Sequence, residues 1–208
     1  MTPSLFQATA VVCERGGRAL FKPVSFNLQA GQALYLEGDN GAGKTTLLRA
    51  LSGLAPLAQG EVLWRGQSTS QARPDFHADL LFLGHALGLK DELTALENLQ
   101  LSAAVSGQTL ARSQALDALT AQGLKNRVHL PLKVLSQGQK RRVALARLQV
   151  AQASLWLLDE PFVALDAQAV QVLHGLLRNH MDQGGAVLFT SHQAVSLGDT
   201  MQQLRLQA

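Results

Sequence analysis

Short apolar runs alternate along the chain with stretches of helical spacing, a pattern of strands feeding helices. Leu5–Val12 and Val24–Leu28 read as strands with a Gly16-Gly17 turn between them. Ala33–Glu37 is an apolar run that opens into a glycine-rich segment, and Lys44–Leu54 continues at helical spacing. Leu80–Leu83, Ser154–Leu158 and Ala186–Thr190 are further runs short and apolar enough to be buried strands. Thr94–Ala104 and Leu110–Ala121 read as amphipathic helices with no strand between them. The expectation is an α/β fold with a mixed sheet core, β-rich in its N-terminal part. An all-helical subdomain is inserted at roughly 86–135, the whole chain, 1–208, forming a single domain.

Composition narrows the class. The chain has 208 residues, 47% apolar and 16% charged, as expected of a folded domain with a sizeable core. The net charge is +3, with no basic run interleaved with aromatics, so nucleic acid is not an expected partner. Cys13 is the only cysteine, which excludes an internal disulfide and a cysteine metal site. The first ten residues lack a basic stretch ahead of an apolar one, so no secretory signal is expected. No apolar run reaches the roughly 18 residues of a membrane span. A role in transport would therefore need another chain to supply the pore.

The first chemical motif is Gly38-Asp39-Asn40-Gly41-Ala42-Gly43-Lys44-Thr45-Thr46, which matches the phosphate-loop pattern GxxxxGK[ST] between a strand and a helix. Glycines let successive backbone N–H groups turn inward onto an anion, and the helix N-terminus adds its positive end. Lys44 would place a cation on the β- and γ-phosphates of a nucleoside triphosphate, and Thr45 would offer its hydroxyl to Mg²⁺. The bland alternative, a glycine-rich turn that carries a lysine by chance, does not account for the strand, loop and helix in that order.

The second motif is Leu155-Trp156-Leu157-Leu158-Asp159-Glu160, an apolar strand ending in two carboxylates. Asp159 would support Mg²⁺ through water, and Glu160 would face the γ-phosphate as a general base. Acidic residues also cap strands and open helices with no catalytic role. The phosphate loop upstream favours the catalytic reading.

The third is Leu135-Ser136-Gln137-Gly138-Gln139 ahead of a helix over Lys140–Gln152. Here the chain resembles the ATP-binding cassette family, whose signature is LSGGQ, with Gln137 in place of a glycine. Ser136 could be an ordinary helix cap. The order of phosphate loop, helical insertion, signature, acidic strand and terminal histidine nevertheless follows the family along nearly the whole chain. The resemblance implies a P-loop NTPase fold and ATP hydrolysis with Mg²⁺. It also implies a head-to-tail homodimer in which Ser136, Gly138 and Gln139 of one copy meet ATP on the phosphate loop of the other. It makes Phe162-Val163-Ala164-Leu165-Asp166 a loop at the subunit interface and His192 a contact to the γ-phosphate.

Two positions depart from the family. Arg15 stands where an aromatic side chain usually stacks on adenine; a guanidinium plane can stack on a base. Gly84-His85 stands where a glutamine usually follows the Leu80–Leu83 strand, so His85 would take its place near the nucleotide.

A narrower resemblance is to the ATP-binding subunits of the haem exporter of cytochrome c biogenesis. It rests on Cys13-Glu14-Arg15, Gly60–Trp64, Leu83-Gly84-His85, Leu93–Leu99, Arg141–Leu148 and Leu157–Phe162. It implies an integral membrane permease, further membrane subunits and a place on the cytoplasmic face of a bacterial inner membrane. Haem or a haem chaperone would be handled by the complex rather than by this chain. The alternatives are a cassette for lipid or lipoprotein release, and a soluble ATPase switch. Switches of that kind generally add a coiled coil, a zinc module or a second cassette.

Overall fold

The computed structural model describes residues 4–192 and 195–207. Its strands, in chain order, are β1 (Phe6–Val12), β2 (Glu14–Arg15), β3 (Arg18–Ala19), β4 (Val24–Leu28), β5 (Ala33–Glu37), β6 (Gln59–Trp64), β7 (Gln67–Ser68), β8 (Leu80–Leu83), β9 (Leu155–Leu158), β10 (Ala186–Thr190) and β11 (Met201–Arg205). The helices are α1 (Lys44–Leu51), α2 (Arg73–Ala78), α3 (Ala95–Val105), α4 (Arg112–Ala121), α5 (Gln137–Val150) and α6 (Ala167–Asp182).

The chain forms two compact units. The first takes Met1–His85, Ala153–Pro161 and Arg178–Ala208. Its five-stranded sheet runs in the order β11-β5-β10-β9-β8, and every neighbouring pair is parallel. Strands β9 and β10 are buried along their whole length, as unbroken apolar runs in a covered parallel sheet must be. A four-stranded antiparallel sheet, β4-β1-β6-β7, supplies the β-rich part, and β2 and β3 form a small hairpin around Gly16-Gly17. Phe6 stacks on Phe76 with ring centroids 6.0 Å apart and tilts against Phe26 at 5.9 Å. Each such aromatic pair contributes roughly 0.5–1.5 kcal/mol beyond its buried area.

Asp79, in the turn before β8, joins the two sheets of this unit. Its carboxylate accepts from the Ser154 N–H at 2.8 Å, from the Ser154 hydroxyl, from Trp64 Nε1 at 3.1 Å and from Arg65 Nη2 at 3.1 Å. Burial works to raise its pKa, but the bonds from Ser154 and Arg65 outweigh that and hold it below the ordinary carboxylate range.

The second unit takes Ala86–Gln152 and Phe162–Leu177. It includes α5 as well as α3 and α4, because Val143 and Ala146 of α5 share one apolar core with Leu96, Leu99, Ala115 and Leu119. Helix α5 begins at Gln137, not at Lys140 as its sequence suggests. Ser136 and Gln139 form a reciprocal capping box that starts the helix at once, despite Gly138 in its first turn.

Candidate functional site

In the first unit, β5 delivers the phosphate loop to the start of α1. Gly41 and Gly43 have φ of 84° and 96°, a region that side chains rarely enter. A Cβ on Gly43 would also sit 2.9 Å from the Phe21 ring and 3.3 Å from Leu20 Cβ, so only glycine fits. Leu20 and Phe21 follow the β2–β3 hairpin that carries Arg15, which is exposed. Helix α1 has no side-chain N-cap and no acidic residue in its first turn, which leaves its positive end available to an anion. Lys44 is 8% exposed, and its ammonium donates to the loop's own carbonyls, Gly38 O at 2.6 Å and Asp39 O at 3.1 Å. Asp39, Asn40 and Gly41 are exposed, whereas Gly38, Ala42, Gly43 and Thr46 are half-buried.

Parallel pairing of β9 with β8 and β10 brings the acidic pair to this loop. Thr45 Oγ1 donates to Asp159 Oδ2 at 2.8 Å, and Thr190 Oγ1 donates to Asp159 Oδ1 at 2.9 Å. Asp159 is 1% exposed, so these bonds hold a carboxylate that burial alone would disfavour. The Glu160 N–H donates to Thr190 Oγ1 at 2.8 Å. Glu160 has φ of 52°, in the left-handed region, a strained geometry found most often at functional sites. Its carboxylate accepts from the His192 N–H at 3.2 Å and lies 3.2 Å from His192 Nε2. Thr45, Asp159, Glu160 and His192 thus form one connected set.

Thr190 is the member that the sequence reading missed. It ends an apolar strand directly before Ser191-His192, the same signal that drew attention to Asp159 after β9. Tyr35 was missed as well; its hydroxyl donates to Ser191 O at 3.0 Å. Burial, then the charges of Glu37 and Glu160, raise the Tyr35 pKa. His85 is exposed in a bend just past β8. Its strand registers Leu83 opposite Leu158, and Leu83 O accepts from the Asp159 N–H at 2.7 Å.

The second unit carries the signature. Ser136 is the N-cap of α5: its hydroxyl accepts from the Gln139 N–H at 3.3 Å, and Gln139 Oε1 accepts from the Ser136 N–H at 3.0 Å. Gly138 lies against the 162–166 loop, where a Cβ would meet Ala164 O at 2.9 Å. Asp166 accepts from the Ala169 N–H at 2.9 Å at the start of α6 and pairs with Arg142 of α5.

A phosphate loop beside a buried aspartate, with a serine-capped signature helix, defines a nucleotide-binding cassette. The chain belongs to the ABC transporter family, whose profile matches residues 21–163. Among its relatives is the cytochrome c biogenesis ATP-binding export protein CcmA of Dechloromonas aromatica, 48% identical over 203 residues, which are 97% of this chain and 100% of that protein. The protein of the same name from Escherichia coli K12 is 46% identical over 196 residues, covering 94% and 93% of the two chains. Among solved structures, an ATP-binding subunit of an ABC transporter superposes with a TM-score of 0.84 at 22% identity, covering 99% of this chain and 89% of that one. A dimeric post-hydrolysis cassette bound to ADP and Pi gives 0.81 at 23% identity, covering 98% and 97%. At these identities the structural likeness concerns the fold.

Proposed function

We propose that this chain is the ATP-hydrolysing subunit of a membrane export complex of cytochrome c biogenesis, the haem exporter. It works as a head-to-tail homodimer in which Ser136, Gly138 and Gln139 of one copy complete the phosphate site of the other. The relatives named as cytochrome c biogenesis ATP-binding export proteins support the assignment over nearly the full length of the chain. The observation that carries the chemistry is the linked set of Thr45, Asp159, Thr190, Glu160 and His192.

In this reading the phosphate-loop N–H groups and Lys44 bind the triphosphate. The ammonium exchanges the carbonyls of Gly38 and Asp39 for phosphate oxygens. Thr45 and Asp159, hydrogen-bonded to each other, have the hard oxygens that suit Mg²⁺ and would hold it. Bound there, Mg²⁺ would neutralise charge on the phosphates. Glu160 accepts the proton of the attacking water, and positioned bases of this kind contribute about 10²–10⁴ in rate. Its N–H on Thr190 and its carboxylate on the His192 N–H hold that base in place. His192 contacts the γ-phosphate.

Arg15 stacks on the base, and His85 takes the place of the family's glutamine, sensing nucleotide. The adjoining 86–92 segment meets the permease on the cytoplasmic face of the inner membrane. Among the described residues no helix is long and apolar enough to cross a membrane.

Solubilising membranes in detergent and purifying the tagged chain tests the assignment. An integral membrane subunit of cytochrome c assembly is expected to copurify. Recovery of the chain from membranes with a subunit of a lipid or lipoprotein exporter would contradict it.

A further inference from the structure

Residues 90–94, between β8 and α3, lie in an irregular segment that is nevertheless fixed from two sides. On one side stands Asn98, 4% exposed. Its Oδ1 accepts from the Lys90 N–H at 2.7 Å, and its amide nitrogen reaches the carbonyls of Lys90, Thr94 and Leu93 at 3.0, 2.9 and 3.2 Å. A buried amide that spends its whole bonding capacity on one short stretch of backbone leaves that stretch little freedom, since any lost bond strands a buried polar group.

On the other side the segment pairs with the residues that lead into the signature. The Lys133 N–H donates to Asp91 O at 3.0 Å, the Leu132 N–H donates to Leu93 O at 3.0 Å, and Thr94 bridges Pro131. Leu132 and Lys133 belong to a single 3-10 turn, Leu132–Val134, that runs directly into Leu135 and Ser136. The Asp91 carboxylate then reaches over the signature turn itself, with Oδ1 2.6 Å from Lys140 Nζ.

Lys140 lies in the first turn of α5, where a cation opposes the helix dipole. The pair is partly exposed, 15% for the Lys140 side chain and 55% for that of Asp91, and exposed ion pairs contribute little to stability. The fold therefore has little need of this lysine, while the geometry gives it a task. We propose that Asp91 and Lys140 are positioning residues. Their ion pair locks the signature turn to the 90–94 segment, so that a displacement of that segment is passed on to Ser136 and Gly138. This rests on the reading above, in which Ser136 and Gly138 complete the ATP site of the second copy.

The test compares Asp91→Asn, Lys140→Gln, Lys140→Arg and the exchanged pair Asp91→Lys with Lys140→Asp, each in the complex with its membrane subunit. Both neutral variants are expected to lower kcat about fivefold or more, a typical coupling between linked sites. KM for ATP should stay within about twofold, because the phosphate loop is untouched. Lys140→Arg and the exchanged pair should recover most of the rate. Lys140→Gln removes a cation from a helix start, so its melting temperature should not fall with its kcat.

Neutral variants with wild-type kcat would overturn the proposal. So would an exchanged pair as slow as the single variants, or a loss of rate that simply tracks a loss of melting temperature. Ser136→Arg in the same series separates two failures. If it is inactive while Asp91→Asn is fully active, the proposal alone fails; if it retains full ATPase, the underlying dimer reading fails.

Discussion

Gly138 and Ala164 meet so closely that a single added methyl group has no room: a Cβ on Gly138 would lie 2.9 Å from the Ala164 carbonyl oxygen. Ala164 has φ of 60°, so the 162–166 loop is already in a strained conformation where the contact occurs. Gly138→Ala must therefore shift either the signature turn or that loop. Overpacking of this kind costs about 1–3 kcal/mol. In a chain of this length, each kcal/mol lowers Tm by roughly 2–4 °C. Since the displaced turn is the signature, ATPase should fall while binding of ATP to the phosphate loop is retained. Calorimetry, nucleotide binding and an ATPase assay check the three parts.

His180 lies flat on Trp156, ring centroids 3.7 Å apart and planes within 9°, with Nε2 3.2 Å from Ser154 O. Burial pushes its pKa below the ordinary histidine value; hydrogen bonds to the backbone of Ser154 and Ala186 and the charge of Asp79 oppose this without reversing it. The folded state therefore resists a proton that the unfolded chain accepts at about pH 6.5. Stability from this site is present above that pH and is lost as pH falls through the lowered, folded-state pKa. His180→Gln should lower Tm at neutral pH, through the lost stacking, and flatten the fall in Tm on acidification. Thermal melts of both proteins across the mildly acidic range measure this.

Arg15 sits exposed on the β2–β3 hairpin, and in the proposed reading it stacks on the base. A cation over a ring at an exposed site contributes about 0.5–1 kcal/mol. ATP and GTP should accordingly bind within roughly tenfold of each other, a factor worth about 1.4 kcal/mol. Competition binding measures the ratio, and a hundredfold preference for ATP would show that other groups read the base.

The elements that position the phosphate site were legible because their signals are local. Strands β5, β8 and β10 fall on the residues that the apolar runs suggested, as strands of a covered parallel sheet are largely apolar, and β4, an antiparallel strand, shows itself through the alternating apolar positions Val24, Phe26 and Leu28. Strand β11 was not legible: Met201–Arg205 is a half-exposed edge in which the adjacent Gln202 and Gln203 break any apolar run, and only its pairing with β5 makes it a strand. Helix α6 was missed although its apolar residues repeat with helical spacing; Gly175, a weak helix former, interrupts the run. The groups tied to Asp159 divide in the same way. Thr45 follows from the motif, whereas Thr190 is 31 residues away in sequence and reaches Asp159 only through the pairing of β9 with β10. Asp79, which draws Trp64, Arg65 and Ser154 together, left no sequence signal, since one carboxylate in a polar turn is indistinguishable from a solvated one. Asp91 and Lys140 are likewise ordinary surface charges until the backbone pairing brings them together.

Glu160, with its N–H on Thr190 and its carboxylate on the His192 N–H, is the residue on which the account of hydrolysis rests. The most direct measurement is single-turnover ATP hydrolysis by Glu160→Gln, with the same sample sized with and without Mg-ATP. The amide keeps the shape, and its single oxygen can still accept from the His192 N–H, but it cannot take a proton. Normal ATP binding is expected, with a loss of hydrolysis of about 10²-fold or more and a dimer that forms only with ATP. Hydrolysis within a few-fold of wild type, or a variant that stays monomeric with ATP bound, would contradict it.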